Sequence, residues 1–419
     1  MSMPTLDEAV AQLPSFRHFA DAVARDALGG RHALLLTGGA VDESYLRSGV
    51  EAALLRNQGP SLRPVFLSDC DVGEPPVSFL ARVTGLSEDQ LHPKLKSEAT
   101  GDDFQPVYEV FLLEGLERLP PARAEPWLEF FRLTAKYGGS ASHVFVLPLC
   151  RLPRALAGMT SDTRLALYWW WRRLSVLDMR LVCRLGEQSP ANSPETVWRE
   201  AVLPHLVVGD LSLATQLWDT VLQSEAVLMS ALREHGRQRG LEAVSLREAI
   251  RRRGRPGRDL GQEGPLPATW LPLWEMAAAQ CSVEHGPELT VLALAILEDV
   301  SGLRSRMWRG QAELLLPLLA RLRMAICQIL TDKHGRGWPL RYGKAWMDEE
   351  QQRLAAEDPL STEFGPLELI LKRAEVGGQR YQAIAQALRL MRNLLAHNMA
   401  VSFGDFKDLW QMREELNLS

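Results

Sequence analysis

Four short apolar runs in the first 190 residues constrain the fold more than any other feature of this chain. They cover residues 32–37, 64–68, 107–113 and 143–149, and segments with the apolar spacing of helices separate them. Runs of this length are too short for most helices and are typical of strands that are buried on both faces of a parallel sheet. The sequence therefore predicts an α/β domain with a parallel sheet.

The remainder of the chain has a mainly helical pattern. Helical spacing is clear over residues 194–233 and returns at Trp270 after a stretch rich in Arg, Gly and Pro. In a chain of 419 residues this change of pattern indicates more than one domain. We predict an α/β domain over residues 1–190, a helical lid or extension over 191–233, a linker over 234–267 and an all-α helical bundle over 268–419.

Charge and cysteine content exclude several classes of protein. The formal net charge is -5, so contact with RNA or DNA would require a local basic patch. The five cysteines show no Cys-x-x-Cys pair and no histidine at metal-ligand spacing, which predicts a reduced, cytoplasmic protein without a metal site. The N-terminus lacks a secretory pattern, and the apolar runs 289–297 and 314–319 are shorter than a membrane span. We therefore expect no membrane segment.

A strand, a glycine pair and a helix follow one another over residues 32–55, which is the layout that places a phosphate at a helix N-terminus. The run 107–114 ends in Glu114, as a Walker B strand ends in an acid. This half of the chain resembles the P-loop ATPases of the AAA or STAND type.

The stretch that matches the Walker A loop, residues 38–45, departs from that pattern. It has no lysine to neutralise the phosphates, and Asp42 and Glu43 add negative charge there. These acids also suit the first turn of a helix without any ligand. We predict a pseudo-ATPase domain (P-loop-like, lacking Walker A) that binds a partner, uses no cofactor and does not hydrolyse ATP. A nucleotide-sensing regulator is a weaker alternative.

Two local runs each allow two interpretations. Residues 168–173, YWWWRR, form either an aromatic and basic surface for bases or a protein partner, or the buried packing of a helix. The arginine-rich run 247–258 either contacts phosphates or is a solvated loop. Buried packing is favoured for the first run. A solvated loop is favoured for the second run, because the acidic net charge of the protein does not support contact with phosphates.

Residues 379–397, QRYQAIAQALRLMRNLLAH, have the spacing of a long amphipathic helix, and three polar residues stand near its end. Asn393 and His397 lie one turn apart on the same side of this helix. Arg392 and His397 are about 140° apart around it. One undistorted helix therefore does not bring Arg392 and His397 to the same phosphate. The predicted core-facing stripe contains Ile384, Leu388, Met391 and Leu395.

The hexapeptide RNLLAH, Arg392 to His397, resembles the motif of HEPN domains, in which Arg is followed by four to six residues and then His. A long helix over 308–329, the polar run 398–404 and a final helix over 405–415 suit such a bundle. The resemblance implies metal-independent RNA cleavage by attack of the ribose 2′-hydroxyl on the adjacent phosphate. In that reaction His397 is the candidate general acid or base, Arg392 holds the phosphate, and Asn393 orients the site. The resemblance also implies a homodimer with both motifs at the interface.

A pseudo-ATPase-like domain followed by a HEPN-like domain resembles proteins of bacterial antiviral defence and toxin systems. The first hypothesis is a HEPN ribonuclease effector that binds RNA and stays inactive until a partner or an invader signal arrives. The second is a catalytically silent adaptor or scaffold subunit of a multiprotein defence complex, since many HEPN domains serve only in dimerisation. Both hypotheses imply protein–protein interaction through the chain.

Overall fold

The computed structural model describes residues 10, 13–38, 43–91, 107, 109–137, 143–151, 153, 156, 161, 164–171, 173–185, 193–253, 266, 268–282, 284–373 and 378–415. These residues form two compact units. The first unit contains the described residues of 1–186, 207–215 and 234–297, and the second contains those of 187–206, 216–233 and 298–419.

The regular elements are seven strands and eighteen α-helices within the described residues. The strands are β1 (His32–Leu36), β2 (Leu62–Phe66), β3 (Glu109–Glu114), β4 (His143–Leu149), β5 (Leu165–Trp169), β6 (Ala279–Ser282) and β7 (Gly286–Leu289). The helices are α1 (Pro14–Leu28), α2 (Glu43–Arg56), α3 (Pro76–Thr84), α4 (Glu88–Leu91), α5 (Pro121–Tyr137), α6 (Val176–Leu185), α7 (Pro194–Leu206), α8 (Leu211–Gln216), α9 (Glu225–Gln238), α10 (Ala243–Arg253), α11 (Leu271–Glu275), α12 (Val291–Ile296), α13 (Val300–His334), α14 (Trp338–Gly343), α15 (Glu349–Glu357), α16 (Phe364–Arg373), α17 (Gly378–Ala396) and α18 (Phe403–Glu415).

A five-stranded sheet forms the centre of the first unit. Its strand order is β2-β3-β4-β1-β5, and all neighbouring strands are parallel. Every residue of β1 is buried, and so is every residue of β3 and β4 after the first. Continuous burial is expected where both faces of a parallel sheet are covered. The predicted α/β domain with a parallel sheet is confirmed.

The aromatic run 168–173 contributes to the edge strand β5, not to a helix. Trp170 and Trp171, which follow β5, are only 4% and 7% exposed. Phe16 and Phe19 pack edge-on against Trp170, with ring centroids 5.5 and 5.1 Å away. Aromatic side chains pack well on a pleated surface, which explains why this run is a strand. The packing interpretation is therefore confirmed for these two tryptophans, and the expected helix is corrected.

The predicted linker 234–267 is partly helical, because α9 ends within it and α10 occupies Ala243–Arg253. The α10 sequence, AVSLREAIRRR, consists mostly of good helix formers. Residues 254–265 of the predicted linker lie outside the described residues. The predicted all-α region 268–419 begins instead with α11 and the antiparallel pair β6–β7, which belong to the first unit. The helical bundle proper therefore begins at residue 298.

The second unit is built around α13, which packs against α7 and α17. Helix α17 also contacts α16, and α18 contacts both α7 and α17. Gly310 of α13 lies where the backbone of α7 comes closest, at Ala201. Trp198 of α7 is 1% exposed, and its ring lies 5.1 Å from that of Phe406 in α18. This unit is helical, as the sequence predicts for most of this region.

Helix α13 contains a longer apolar stretch than the sequence analysis recognised. Among the described residues it is the one helix that is long and apolar enough to cross a bilayer, by length and composition. The apolar stretch is longer than the run 314–319, because it continues beyond Arg321 and Arg323 to Leu330. One face of α13 nevertheless forms the core of the second unit, from Leu303 to Leu330. The core helix of a soluble protein can be as long and as apolar as a membrane-spanning helix.

Candidate functional site

Helix α17 presents the predicted stripe to the core of the second unit. Its buried residues are Ile384, Ala385, Leu388, Met391 and Leu395. These positions recur every three or four residues, as expected for one buried face of a helix. Arg392 lies beside this buried stripe and is exposed to solvent, so it takes no part in core packing.

The end of α17 fixes the backbone of His397. The His397 N–H donates to the carbonyl oxygens of Asn393 and Leu394, both at 3.1 Å. Asn398 follows in the left-handed region with φ 56°, and Met399 N–H donates to Leu394 O at 2.9 Å. With the 3.1 Å bond from Asn398 N–H to Leu395 O, the Met399 bond and the left-handed Asn398 form a Schellman helix end. The imidazole of His397 projects from the helix terminus and is exposed to solvent.

Two side chains of α13 anchor the end of the motif and the segment after it. Gln311 is fully buried, its amide nitrogen donates to Val401 O, and its amide oxygen accepts from Val401 N–H, both at 2.8 Å. The indole N–H of Trp308 donates to Leu395 O at 2.7 Å. The roles of Trp308 and Gln311 were not predicted from the sequence. The position of Gln311 within the apolar stripe of a helix could have indicated such a role. A buried amide needs hydrogen-bond partners, and those partners must come from another segment.

Arg392 and His397 line two different grooves of the same chain. The groove that contains His397 has a volume of about 470 Å³, and the groove that contains Arg392 has a volume of about 480 Å³. Asn393 lines both grooves, and its Oδ1 accepts a long 3.4 Å hydrogen bond from Arg392 Nη1. The structure therefore agrees with the helical geometry: a single chain does not bring Arg392 and His397 into one groove.

The two grooves differ in chemical character. The His397 groove is lined mainly by apolar side chains, of which Leu390 and Met399 are 53% and 50% exposed. Two carboxylates, Asp405 and Asp408, also line it. The Arg392 groove is more polar, and its walls include Gln351, Ser361, Thr362, Glu363, Phe364 and Arg389. His397 can exchange a proton and Arg392 can bind an anion, but each does so in its own groove.

The first unit shows what occupies the position of the phosphate loop. Gly38 follows β1 with φ 63°, and a Cβ atom there would lie 2.5 Å from the Trp274 indole. Trp274 is 2% exposed, and its ring lies 5.3 Å from that of Trp169, with the two planes tilted by 55°. The adjoining cavity holds only about 40 Å³, far less than the several hundred Å³ of a small-molecule site. Residues 39–42, including Asp42, and the Glu43 side chain lie outside the described residues.

Glu114, the acid at the end of β3, forms an ion pair with Arg47. The Arg47 Nε donates to Glu114 Oε1 at 2.9 Å, and Nη2 binds the second carboxylate oxygen. Glu114 is 2% exposed, so this bidentate pair neutralises a buried charge. Both carboxylate oxygens therefore already have a partner within the chain.

Metal and disulfide chemistry receive no support from the described part of the chain. Within it, no group of three or more His, Cys, Asp or Glu side chains is placed to hold a metal ion. No disulfide joins the five cysteines, all of which lie in that part.

Comparison with known proteins gives only a distant structural likeness. No protein-family profile matches this chain, and no curated protein matches it. A solved structure of Drosophila ORC bound to poly(dA/dT) DNA and Cdc6 is similar over 96% of this chain and 70% of that chain. The identity is 15% and the TM-score is 0.29. What the structure establishes is an α/β unit with a five-stranded parallel sheet and a second, helical unit.

Proposed function

We propose that this chain is a HEPN-type, metal-independent ribonuclease effector of a bacterial antiviral defence or toxin system, acting in the cytoplasm. The observation that carries the proposal is the exposure of Arg392 and His397 at the end of α17. Neither side chain packs in the core, and neither forms an ion pair among the described residues. Two polar side chains that take no part in core packing are available for chemistry.

The proposed reaction is transesterification within RNA. The ribose 2′-oxygen bonds to the adjacent phosphorus while the bond to the 5′-oxygen breaks, which gives a cyclic phosphate and a 5′-hydroxyl end. His397 acts either as the general base that accepts the 2′-hydroxyl proton, while water protonates the leaving 5′-oxygen, or as the general acid that protonates the 5′-oxygen, while water accepts the 2′-hydroxyl proton. Arg392 binds the phosphate oxygens as their negative charge grows, and Asn393 orients Arg392.

The separation of the two grooves supports a site that two copies complete. In a two-fold pair, Arg392 of one protomer can face His397 of its partner, and symmetry forms the site twice. The exposed apolar lining of the His397 groove, including Leu390 and Met399, gives a second copy a surface to cover. The first unit then acts as a pseudo-ATPase-like docking domain for a protein partner.

The test is RNA cleavage by Arg392→Ala and His397→Ala variants of the full chain. Each substitution should abolish cleavage and leave the melting temperature and the oligomeric state unchanged. Arg321→Ala and His18→Ala are matched controls, because both residues are exposed on helices and lie outside the motif. Full cleavage by either motif variant would refute the proposed roles.

A silent adaptor is the second candidate, and one observation favours it. Asp405 and Asp408 share the apolar groove with His397, and carboxylates there would repel a phosphate. As an adaptor, the wild-type chain cleaves no RNA, and Leu390→Glu or Met399→Glu disrupts its assembly. Cleavage assays and mass measurement on the same samples separate the two functions.

The pseudo-ATPase assignment also has a direct test. We expect no ATP hydrolysis, since the Trp274 ring packs against Gly38 and Glu114 already forms an ion pair with Arg47. The sequence contains no Gly-Lys-Ser/Thr, and its nearest approach is Gly343-Lys344-Ala345. Phosphate release that persists through further purification and in Lys344→Ala would contradict the assignment.

A further inference from the structure

Helix α10 presents arginine side chains along an exposed face. Leu246 and Ala249 are 0% and 7% exposed and hold the helix on the first unit. Arg247, Arg251 and Arg252 are exposed on the other side. The helix has eleven residues and is about 16 Å long. The arginine-rich run that sequence analysis favoured as a solvated loop is thus helical up to Arg253.

A short turn with two backbone hydrogen bonds holds the N-terminal end of this helix in place. Four residues, 239–242, connect α9 to α10. Gly240 has φ 76°, its N–H donates to Arg237 O, and Leu241 N–H donates to Gly236 O, both at 2.9 Å. Arg239 forms a bidentate ion pair with Asp210, in which Nη2 lies 3.2 Å from Oδ1. The exposed face of α10 is therefore preorganised, which lowers the entropy lost on binding a ligand.

The charge around α10 is opposite to that of the whole chain. Six arginines and three glutamates lie between Glu234 and Arg253, whereas the chain has a net charge of -5. Arg252 pairs with Glu248, one turn away. Arg247 and Arg251 are also one turn apart, and no ion pair engages either of them within the described residues. Two arginines on one face are thus available to an external anion.

We propose that the exposed face of α10 binds duplex DNA through its phosphate backbone, with Arg247 and Arg251 as the principal contacts. An α-helix fits the major groove of B-DNA, whereas the major groove of A-form RNA is too narrow for it. The proposal goes beyond the RNA-cleaving site and does not depend on it, since α10 belongs to the first unit and the motif to the second.

Two other kinds of partner fit this face less well. An interfacial membrane helix inserts its apolar face into the lipid, but Leu246 and Ala249 of α10 are already buried in the protein. Protein interfaces depend on large anchors such as aromatic and methionine side chains. Among the described residues of α10, Val244 is the one large apolar side chain that is mainly exposed, at 76%, so this face lacks such an anchor. A face that binds by charge alone suits DNA, which carries one negative charge per about 1.7 Å of helix axis.

The strength of such binding depends on salt in a calculable way. Each phosphate that a protein neutralises releases counterions and steepens the plot of log K against log salt by about 0.9. Removing both Arg247 and Arg251 should therefore reduce the slope by about two units. Lysine retains the charge, so Arg247→Lys/Arg251→Lys should keep the wild-type slope.

The experiment is fluorescence anisotropy of the full chain with a DNA duplex of about 20 base pairs, two turns of B-DNA. Salt is varied between about 50 and 200 mM. We expect binding by the wild type and the predicted loss of slope in Arg247→Gln/Arg251→Gln. Arg321→Gln/Lys333→Gln removes the same charge from exposed positions of α13 and should leave the slope unchanged.

Several results would overturn the proposal. One is the absence of duplex binding at the lowest salt concentration. Another is an unchanged slope in the α10 variant while circular dichroism shows it folded. Equal loss of binding in the α13 control would show non-specific attraction. Binding only to single-stranded RNA, to anionic vesicles or to an acidic protein would assign this face to a different partner.

Discussion

Gly310→Ala tests a close backbone contact between α13 and α7 in the second unit. A Cβ atom at Gly310 would lie 2.1 Å from the carbonyl oxygen of Ala201, 2.8 Å from its carbonyl carbon and 2.9 Å from Val202 Cα. All three are main-chain atoms of α7, so rotating a side chain cannot relieve the overlap. Helices α7 and α13 must therefore move apart.

The cost of this movement can be worked from the geometry. Real Cβ atoms essentially never approach another heavy atom closer than 3.0 Å, so the helices must separate by about 1 Å. A gap of that size forfeits roughly a quarter to a half of the dispersion energy at the contact, and overpacking costs about 1–3 kcal/mol or more. Alanine returns about 1 kcal/mol of helix propensity. We expect a net loss of about 2 kcal/mol and a melting temperature lower by about 4–8 °C.

The assay is hydrogen exchange of α7 and α13 combined with urea unfolding, because a two-unit protein need not unfold in one step. Gly404→Ala is the matched control. Gly404 is an exposed helical glycine, and a Cβ atom there would have Ser402 Oγ as its nearest neighbour, at 3.6 Å. The control should be as stable as wild type or up to about 1 kcal/mol more stable. If Gly310→Ala matches the control, the two backbones are not in contact and the reasoning is refuted.

Three further predictions concern the first unit. Burial, followed by the charge of Arg164, lowers the pKa of His32 from 6.5 to about 4, so neutral His32 stabilises the fold above pH 6.5. About 3 kcal/mol of this stability should disappear between pH 6.5 and 4, and urea midpoints should fall less steeply with pH in His32→Asn, whose Oδ1 can accept from the Phe145 N–H that donates to His32 Nδ1 in the wild type. Arg47→Ala leaves Glu114 buried without its partner and should cost about 2 kcal/mol in thermal unfolding, most of which Arg47→Met/Glu114→Gln should restore. Gly38→Ala adds a methyl 2.5 Å from the Trp274 ring at a left-handed φ and should cost at least about 2 kcal/mol, with altered tryptophan fluorescence; unchanged stability would show that Trp274 does not rest on Gly38.

The sheet could be predicted from the sequence because its strands are buried on both faces. Such strands leave an uninterrupted apolar run, and β4 spans the predicted residues His143–Leu149. β5 was missed, because its sequence LALYW continues into the aromatic run WWRR, which also suits a helix. The pair β6–β7, with the sequences AQCS and GPEL, has no alternation that would distinguish it from a loop. The local sequence pattern identifies a strand whose residues are all buried. It does not identify a strand that forms only because of its packing against distant parts of the chain.

The candidate site was predictable in its helical part. Periodicity alone gave the buried stripe and the separation of Arg392 from His397, and the two grooves agree with that separation. The neighbours from other elements were not predictable in this way. Asp405 and Asp408 come from α18, and Gln311 comes from α13, ninety residues before Val401. Which distant residues meet at a helix end depends on the packing of the bundle, and a single sequence does not encode that in a local pattern.

The alternation of the chain between its two units has a consequence for synthesis on the ribosome. Helix α7 ends at Leu206, but its packing partner α13 begins only at Val300, so about 95 residues must be made in between. At the usual elongation rates of roughly 5–20 residues per second, this takes about 5–20 s. During that time the apolar side chains around Trp198 have no α13 to cover them. Premature termination before residue 300 would therefore release a fragment with this face uncovered, a natural substrate for chaperones and proteases.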